Sequence, residues 1–182
     1  MMMAAALALV ASAAAAEGPC DILGAAGNPC VAAHSTVRAL FAKYDGPLYN
    51  VSRPDGTSKN IGLLSPGGFA DKKSHDEFCS KMDCVISNVF DQSHCGGQCA
   101  APGGNHLGQR HKLINASRHS ITVGKAKTPV YGMWFDPGFG MHVDNTTGIA
   151  TGNDPETIYA VSRHCRWHLG RNLLKMAAVD RS

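Results

Sequence analysis

The sequence predicts an all-β fold, a β-sandwich of short strands with disulfide-stapled loops, and three observations lead there. The 182 residues hold 20 Gly and 9 Pro, and frequent turns suit strands joined by tight loops better than a helical bundle. The runs that favour a pleated surface are short, and Gly or Pro separates nearly all of them, as in a sandwich and unlike βαβ units. One segment, residues 84–90 (Cys-Val-Ile-Ser-Asn-Val-Phe), concentrates Val, Ile and Phe, the residues that pack best on a half-buried sheet.

Taken in chain order, residues 47–53 alternate Leu48, Asn50 and Ser52 with Tyr49, Val51 and Arg53, a half-buried strand pattern. Pro54-Asp55-Gly56 follows as a turn, since proline presets one dihedral and glycine tolerates positive φ. Ser74-His75-Asp76-Glu77 has capping-box form and predicts a short helix that carries Phe78 inward and ends near Cys79. Strand 84–90 comes next, then strands over 120–123, 129–135 and 157–162. No internal repeat is visible.

Composition bounds the function. A charged fraction of 17% against 44% hydrophobic residues excludes a disordered chain. Seventeen Lys or Arg against 14 Asp or Glu give a formal charge of +3, too mild for a nucleic-acid binder. Most of that charge is local. Residues 163–182 hold five basic residues and one acidic, so the other 162 residues net −1. The length allows one domain.

Residues 1–16 are uncharged side chains ending in Ala14-Ala15-Ala16, the pattern of a signal peptide and shorter than the ~20 residues that span a bilayer. Export fits the cysteines. Cys20, Cys30, Cys79, Cys84, Cys95 and Cys99 fall into three close pairs, with Cys165 left over; in an oxidising compartment such pairs read as small disulfide loops, whose connectivity sequence alone leaves open. Asn50, Asn115 and Asn145 each begin an Asn-x-Ser/Thr triplet, predicted to sit on exposed loops as glycosylation acceptors.

Candidate chemistry is sparse. Cys95, Cys99, His106 and His111 are thiolate and imidazole ligands of the kind zinc prefers. Their spacing is Cys-x3-Cys-x6-His-x4-His, where a finger needs ~12 residues between the pairs, so a Cys95–Cys99 loop is favoured and no metal is expected. Ser35 beside His34 lacks a Gly-x-Ser-x-Gly elbow. Asp91, Asp136, Asp154 and Glu156 are the carboxylates placed for glycosidase chemistry, which needs a pair ~5–9.5 Å apart. Asp91-Gln92-Ser93 and Asp136-Pro137-Gly138 are equally ordinary turn starters, and none is assigned without a partner.

A resemblance adds much more. Gly18-Pro19-Cys20-Asp21-Ile22 and Pro29-Cys30-Val31-Ala32-Ala33-His34-Ser35 closely resemble the start of fungal-type α-L-arabinofuranosidase B, glycoside hydrolase family 54. The similarity runs on through Ser65-Pro66-Gly67-Gly68-Phe69, Phe90-Asp91-Gln92-Ser93, Val130-Tyr131-Gly132 and Asn153-Asp154-Pro155-Glu156-Thr157. It covers residues 18 to 162. It implies a secreted enzyme that releases terminal α-L-arabinofuranose from arabinan and arabinoxylan with retention. The implied fold is a jelly-roll-like, concanavalin-like sandwich followed by an arabinose-binding β-trefoil. It also implies disulfides Cys20–Cys30 and Cys79–Cys84. The partner it implies is arabinose-containing plant cell-wall polysaccharide, with no cofactor, no nucleic acid and no membrane span, acting as a monomer.

Two departures qualify it. Residues 95–104 replace a short turn of the family. After residue 162, Arg163-His164-Cys165-Arg166-Trp167 stands where the family has paired cysteines and then its nucleophilic glutamate, and no glutamate follows Glu156. The chain therefore reads as a signal peptide over 1–16, the amino-terminal part of a catalytic domain of the kind the resemblance implies over 17–162, and a divergent basic tail over 163–182. No catalytic residue of the family is carried over, and the chain as written is expected to be inactive. The alternative is a secreted, non-catalytic sandwich that binds cell-wall arabinan.

Overall fold

The computed structural model describes residues 16–80, 82–93, 107–109, 114–144 and 146–162. The expectations for the signal peptide, for Cys95, Cys99, His106 and His111, for Asn145 and for the basic tail lie outside these residues. By its contacts the chain divides into a unit that ends at Thr147 and a second that starts at Gly148.

Strand β1 (Tyr49–Ser52) turns into β2 (Ser58–Ile61), and the predicted turn between them is present. Gly56 takes the left-handed φ of +84° that only glycine adopts cheaply. Asp55 accepts hydrogen bonds from the backbone N–H and hydroxyl of Thr57 at 2.9 and 2.6 Å. Strand β3 (Val85–Val89), the Val/Ile/Phe-rich segment, pairs antiparallel with β1. Its other edge is shared end to end by β4 (Leu107–Gln109) and β5 (Ile114–Asn115). Strands β6 (His119–Val123) and β7 (Thr128–Gly132) form a separate two-stranded sheet, and β8 (Met141–His142) closes the larger one on β4. The larger sheet runs β2-β1-β3-β4-β8 with β5 beside β3.

Alternation along these strands builds the core. Tyr49, Val51, Ile61, Ile86 and Val89 project from one face of the larger sheet and are fully buried. Val130 of β7 joins the same cluster, with Ile121 and Val123 of β6 packed against it. Burying side chains of this size stabilises by roughly 1.5–3 kcal/mol each, so the two sheets are held by their facing apolar rows.

Residues 31–48 cross this core with little ladder of their own, yet Ala33, Ala39, Tyr44 and Leu48 within them are buried. Two buried polar side chains satisfy their backbone. Asp91 accepts from Ala33 N–H at 2.9 Å, and Gln92 accepts from Leu40 N–H at 2.7 Å while donating to Arg38 C=O at 3.3 Å.

The helices depart from expectation. Helix α1 (Pro19–Ala25) was not predicted, although Pro19 in its first turn and Asp21 are helix-start residues. The Asp21 carboxylate accepts from Gly18 N–H and Ala42 N–H, each at 2.7 Å. A Cβ at Gly18 would lie 2.2 Å from Leu40 O, so only glycine fits there. Helix α2 (Lys72–Cys79) begins before the Ser74 box. Its cap is Asp71, which accepts from Ser74 N–H at 3.0 Å, because the carboxylate three residues upstream reaches the same free amide. The side chain it buries fully is His75, with Phe78 half-buried. The strand predicted over 157–162 is absent: these residues have no regular structure, and Ile158, Tyr159 and Val161 are exposed. A strand exists only through a hydrogen-bonded neighbour, and no described residue pairs with this segment.

Both disulfides implied for the described residues are formed, Cys20–Cys30 and Cys79–Cys84. The second ties the end of α2 to the start of β3. Replacing Cys79 and Cys84 together by alanine is expected to lower stability by about 2 kcal/mol, the loop-closure entropy returned to the unfolded chain. A urea midpoint that falls at constant slope is the expected reading; an unchanged midpoint would show the tie to be idle.

Candidate functional site

The face of the larger sheet opposite the core is polar, and register explains why. Residues directly opposite one another across a sheet share a face. Asn60 of β2 opposes Asn50 of β1, which opposes Asn88 of β3, which opposes Gly108 of β4, which opposes His142 of β8. One row of amides, a glycine and an imidazole thus crosses five strands. The adjacent row runs Ser58, Ser52, Val85 and Asn115. Between the two rows β3 carries one extra residue, Ser87, at a bulge, a device that re-aims a side chain. Its hydroxyl donates to Asn50 Oδ1 at 2.5 Å. A shallow cleft continues from Ser87 past Ser52 and Val85 to Arg53 and Asp83.

The two ends of the row differ in how well they are satisfied. Asn50 donates to Asn60 Oδ1 at 2.6 Å and accepts from Ser52 at 3.4 Å as well as from Ser87. At the other end, Asn88 Oδ1 and His142 Nδ1 are buried atoms with no hydrogen-bond partner among the described residues. The other ring nitrogen, His142 Nε2, lies 3.0 Å from Asp144. At the open end Arg53 is committed elsewhere, since its Nε donates to Phe78 C=O at 2.8 Å and its guanidinium stacks 4.0 Å over the Phe78 ring.

A second polar cluster lies inside the core. His75 is fully buried. Its Nδ1 meets Tyr49 OH at 2.9 Å and its Nε2 meets Ser117 Oγ at 3.1 Å. Its ring centroid is 4.4 Å from that of Tyr131, whose hydroxyl donates to Asp76 at 2.8 Å. Lys72 pairs with Asp76 at 2.5 Å and sits 4.4 Å over the Tyr131 ring. Burial pushes the His75 pKa down to about 4 and holds the Tyr49 phenol well above its ordinary value. Each end of the imidazole is occupied by a protein hydroxyl, so the cluster ties α2 to β1 and the residues after β5 and offers no open catalytic position.

The aspartates singled out in the sequence each accept hydrogen bonds from nearby groups. Asp91 is buried and accepts from Ala33 N–H, Ser93 N–H and the Ser93 hydroxyl at 2.9, 2.9 and 2.7 Å. Asp136 accepts from Trp134 Nε1 at 3.0 Å and pairs with Arg118. Asp154 lies in the second unit and accepts from Thr151 N–H at 3.3 Å; Glu156 is exposed there. All three aspartates bond to local amide or indole N–H groups. Ser35 likewise accepts from Val37 N–H and Arg38 N–H at 3.1 and 3.2 Å, in a turn. Among the described residues no group of three or more His, Cys, Asp or Glu is placed to hold a metal ion, and no helix is long and apolar enough to cross a membrane.

Two glycosylation triplets fall within the described residues. Asn115 is exposed, with its side-chain oxygen accepting from Ser117 N–H at 3.0 Å. Asn50 corrects the expectation of a loop: it is half-buried within β1, between β2 and β3. Strand alternation over 47–53 decides its place, and a three-residue triplet does not override it.

The family model for "Alpha-L-arabinofuranosidase B, catalytic" matches residues 19–168. The chain belongs to that family. An α-L-arabinofuranosidase B of Emericella nidulans is 43% identical over 162 residues, which is 86% of this chain and 31% of that protein. A probable α-L-arabinofuranosidase B of Aspergillus flavus is 42% identical over 165 residues, 87% of this chain and 32% of its own length. The chain thus spans about a third of the length of these relatives. A crystal structure of an arabinofuranosidase complexed with arabinofuranosyl-α-1,2-xylobiose superposes with a TM-score of 0.67 at 37% identity, covering 75% of this chain and 29% of that one. A family 54 α-L-arabinofuranosidase soaked with a cyclic sulfate inhibitor matches to the same degree. The two-sheet arrangement is accordingly the jelly-roll-like β-sandwich of family 54, with two loops stapled by disulfides.

Sequence reasoning missed the row from Asn60 to His142. Asn50 and Asn88 at outward positions of two predicted strands were the available signal. Gly108 and His142 belong to two- and three-residue strands whose pairing no local pattern announces.

Proposed function

We propose that residues 17–162 are the amino-terminal part of the catalytic sandwich of a secreted, retaining α-L-arabinofuranosidase acting on arabinan and arabinoxylan. The observation that carries this reading is the family match over residues 19–168. The two disulfides support an exported protein, since such bonds persist in oxidising compartments. In the parent reaction one carboxylate attacks the anomeric carbon and a second protonates the leaving oxygen, then activates water.

The chain as written supplies scaffold and not catalysis. In this reading residues 163–182 are the divergent basic tail, although the family match reaches its first six residues, and no residue of the 182 takes the role of the family's nucleophile or acid. The candidate aspartates each accept hydrogen bonds from nearby N–H groups. Without a nucleophile, binding alone provides little transition-state stabilisation.

The purified chain, incubated with a chromogenic α-L-arabinofuranoside, is expected to release no chromophore above the buffer rate. Sustained, enzyme-proportional turnover would overturn the scaffold reading.

A further inference from the structure

We propose that residues 157–162 are a self-association surface, pairing as an antiparallel strand with the same residues of a second copy of this chain. The inference goes beyond the arabinofuranosidase reading and does not depend on it. It departs from the monomer that the family resemblance implies.

Three observations lead to it. First, the residues are those of a strand. Thr157-Ile158-Tyr159-Ala160-Val161-Ser162 is rich in β-branched and aromatic side chains and holds no charge, no Gly and no Pro, the composition that draws strands of separate chains together. Second, the side chains are open. Every residue from 151 to 162 is exposed, with Ile158, Tyr159 and Val161 at 56%, 62% and 83%. Single exposed apolar side chains are ordinary, whereas these three follow one another closely enough to form a patch. Third, the backbone is as open as the side chains. Among the described residues, none from 155 to 162 makes a hydrogen bond, while Thr151 and Asp154 just before them bond to each other. A row of free N–H and C=O groups beside apolar side chains is a template for another strand.

The occupant follows from the segment itself. A closed two-fold pair of antiparallel strands sets each residue opposite one from the same face of the partner. Centred on Ala160, the pairing places Tyr159 opposite Val161 twice and Ile158 opposite Ser162 twice. An aromatic side chain opposite a β-branched one is a favourable cross-strand pair, and the small Ala160 meets its own copy on the axis. No like charges oppose one another, since the segment has none. Glu156 is the one charged side chain from 155 to 162, which gives a charged partner little to grip. A second copy answers the backbone and the side chains together.

A ribbon of two short strands is marginal by itself, so the association is weak and tracks protein concentration. The test is sedimentation equilibrium of the full chain over about a hundredfold range of concentration, on preparations free of disulfide-linked copies. Tyr159→Lys puts two like charges on the shared face. Joint replacement Ala160→Pro and Val161→Pro keeps the surface apolar but removes the N–H donors of adjacent residues, which point to opposite edges of a strand. The native mass is expected to rise with concentration toward twice that of one copy, and both variants to stay at one copy. Urea midpoints at low concentration should match the native one, because the replaced side chains are exposed and bonded to no described residue. Where one variant fails to fold, the other decides. A native chain that stays at one copy throughout would overturn the proposal. Association retained by the folded lysine variant would overturn it by placing the contact on another surface. Retention by the folded proline variant would overturn it by reducing the contact to apolar adhesion without strand pairing.

Discussion

Acidification from pH 6.5 to pH 4 is expected to cost the folded chain about 3 kcal/mol through one residue, His75. The imidazole is fully buried, with Tyr49 OH on one nitrogen and Ser117 Oγ on the other. Burial is the main cause that brings its pKa down from 6.5 to about 4; the Asp76 carboxylate opposes the shift and Lys72 reinforces it. The native state therefore stays neutral through a window in which the unfolded chain already binds the proton. Stability is complete above pH 6.5, falls as pH drops toward 4 and levels off below that, because a shift of one pKa unit is about 1.4 kcal/mol between protonation states. Tyr131 and Asp76 face the same ring and bond to each other at 2.8 Å, so the carboxylate begins to contribute only as it takes up a proton at lower pH. The Asp76 pKa lies below its ordinary value despite desolvation, through the Lys72 and Tyr131 hydrogen bonds, which places its own loss beneath the His75 window. Urea midpoints across pH 7 to 4 read the effect directly. His75→Gln keeps a donor and an acceptor but does not titrate, so its midpoint should vary much less over this range. Parallel curves for the native chain and the variant would remove His75 as the cause.

How far the fold was legible depends on whether a segment states its own partner. Residues 47–53 and 84–90 did, because alternation and β-branched content mark a strand that buries one face; both are strands, and they pair with each other. The residues from 120 to 132 also did, since apolar runs flank a Gly-containing turn. The segment over 157–162 shows the opposite case: its side chains suit a strand, but propensity without a neighbour leaves it irregular. Helix α1 was hidden because seven residues carry too little periodicity, even with Pro19 and Asp21 marking its start. The start of α2 was misplaced by the strength of the Ser74 box, when Asp71 could serve the same amide. The site was harder still. A polar row across a sheet takes one residue from each strand, so its members, such as Asn50 and Gly108, share no sequence neighbourhood. Only register assembles them. Family resemblance reached the fold and the disulfides because long motifs carried them, while it could place no catalytic residue on this chain.

Asp91→Ala should destabilise the chain by about 2–4 kcal/mol, and Asp91→Asn by distinctly less. The reason lies in the irregular segment 31–48, whose amides have no strand to bond to. Asp91 Oδ1 accepts from Ala33 N–H and from the backbone and hydroxyl of Ser93, and the residue is 4% exposed. Alanine leaves buried donors unsatisfied, each costing roughly 1–3 kcal/mol, and removes hydrogen bonds to a charge, which are worth more than neutral ones. Asparagine restores an acceptor oxygen at the same place but not the charge, so a substantial part of the loss should return. The charge is also felt nearby: the Tyr44 phenol is pushed up to about 12, first by its burial and then by Asp91. This carboxylate sits where the sequence also allowed a glycosidase acid, and the two roles make opposite demands. A catalytic group can be replaced with activity lost and stability kept or raised, because active sites store strain. An anchor loses stability when replaced, in proportion to the donors it abandons. A graded series of urea midpoints, native above Asp91→Asn above Asp91→Ala, identifies the anchor; an Asp91→Ala chain as stable as the native one would return Asp91 to the list of candidates for chemistry.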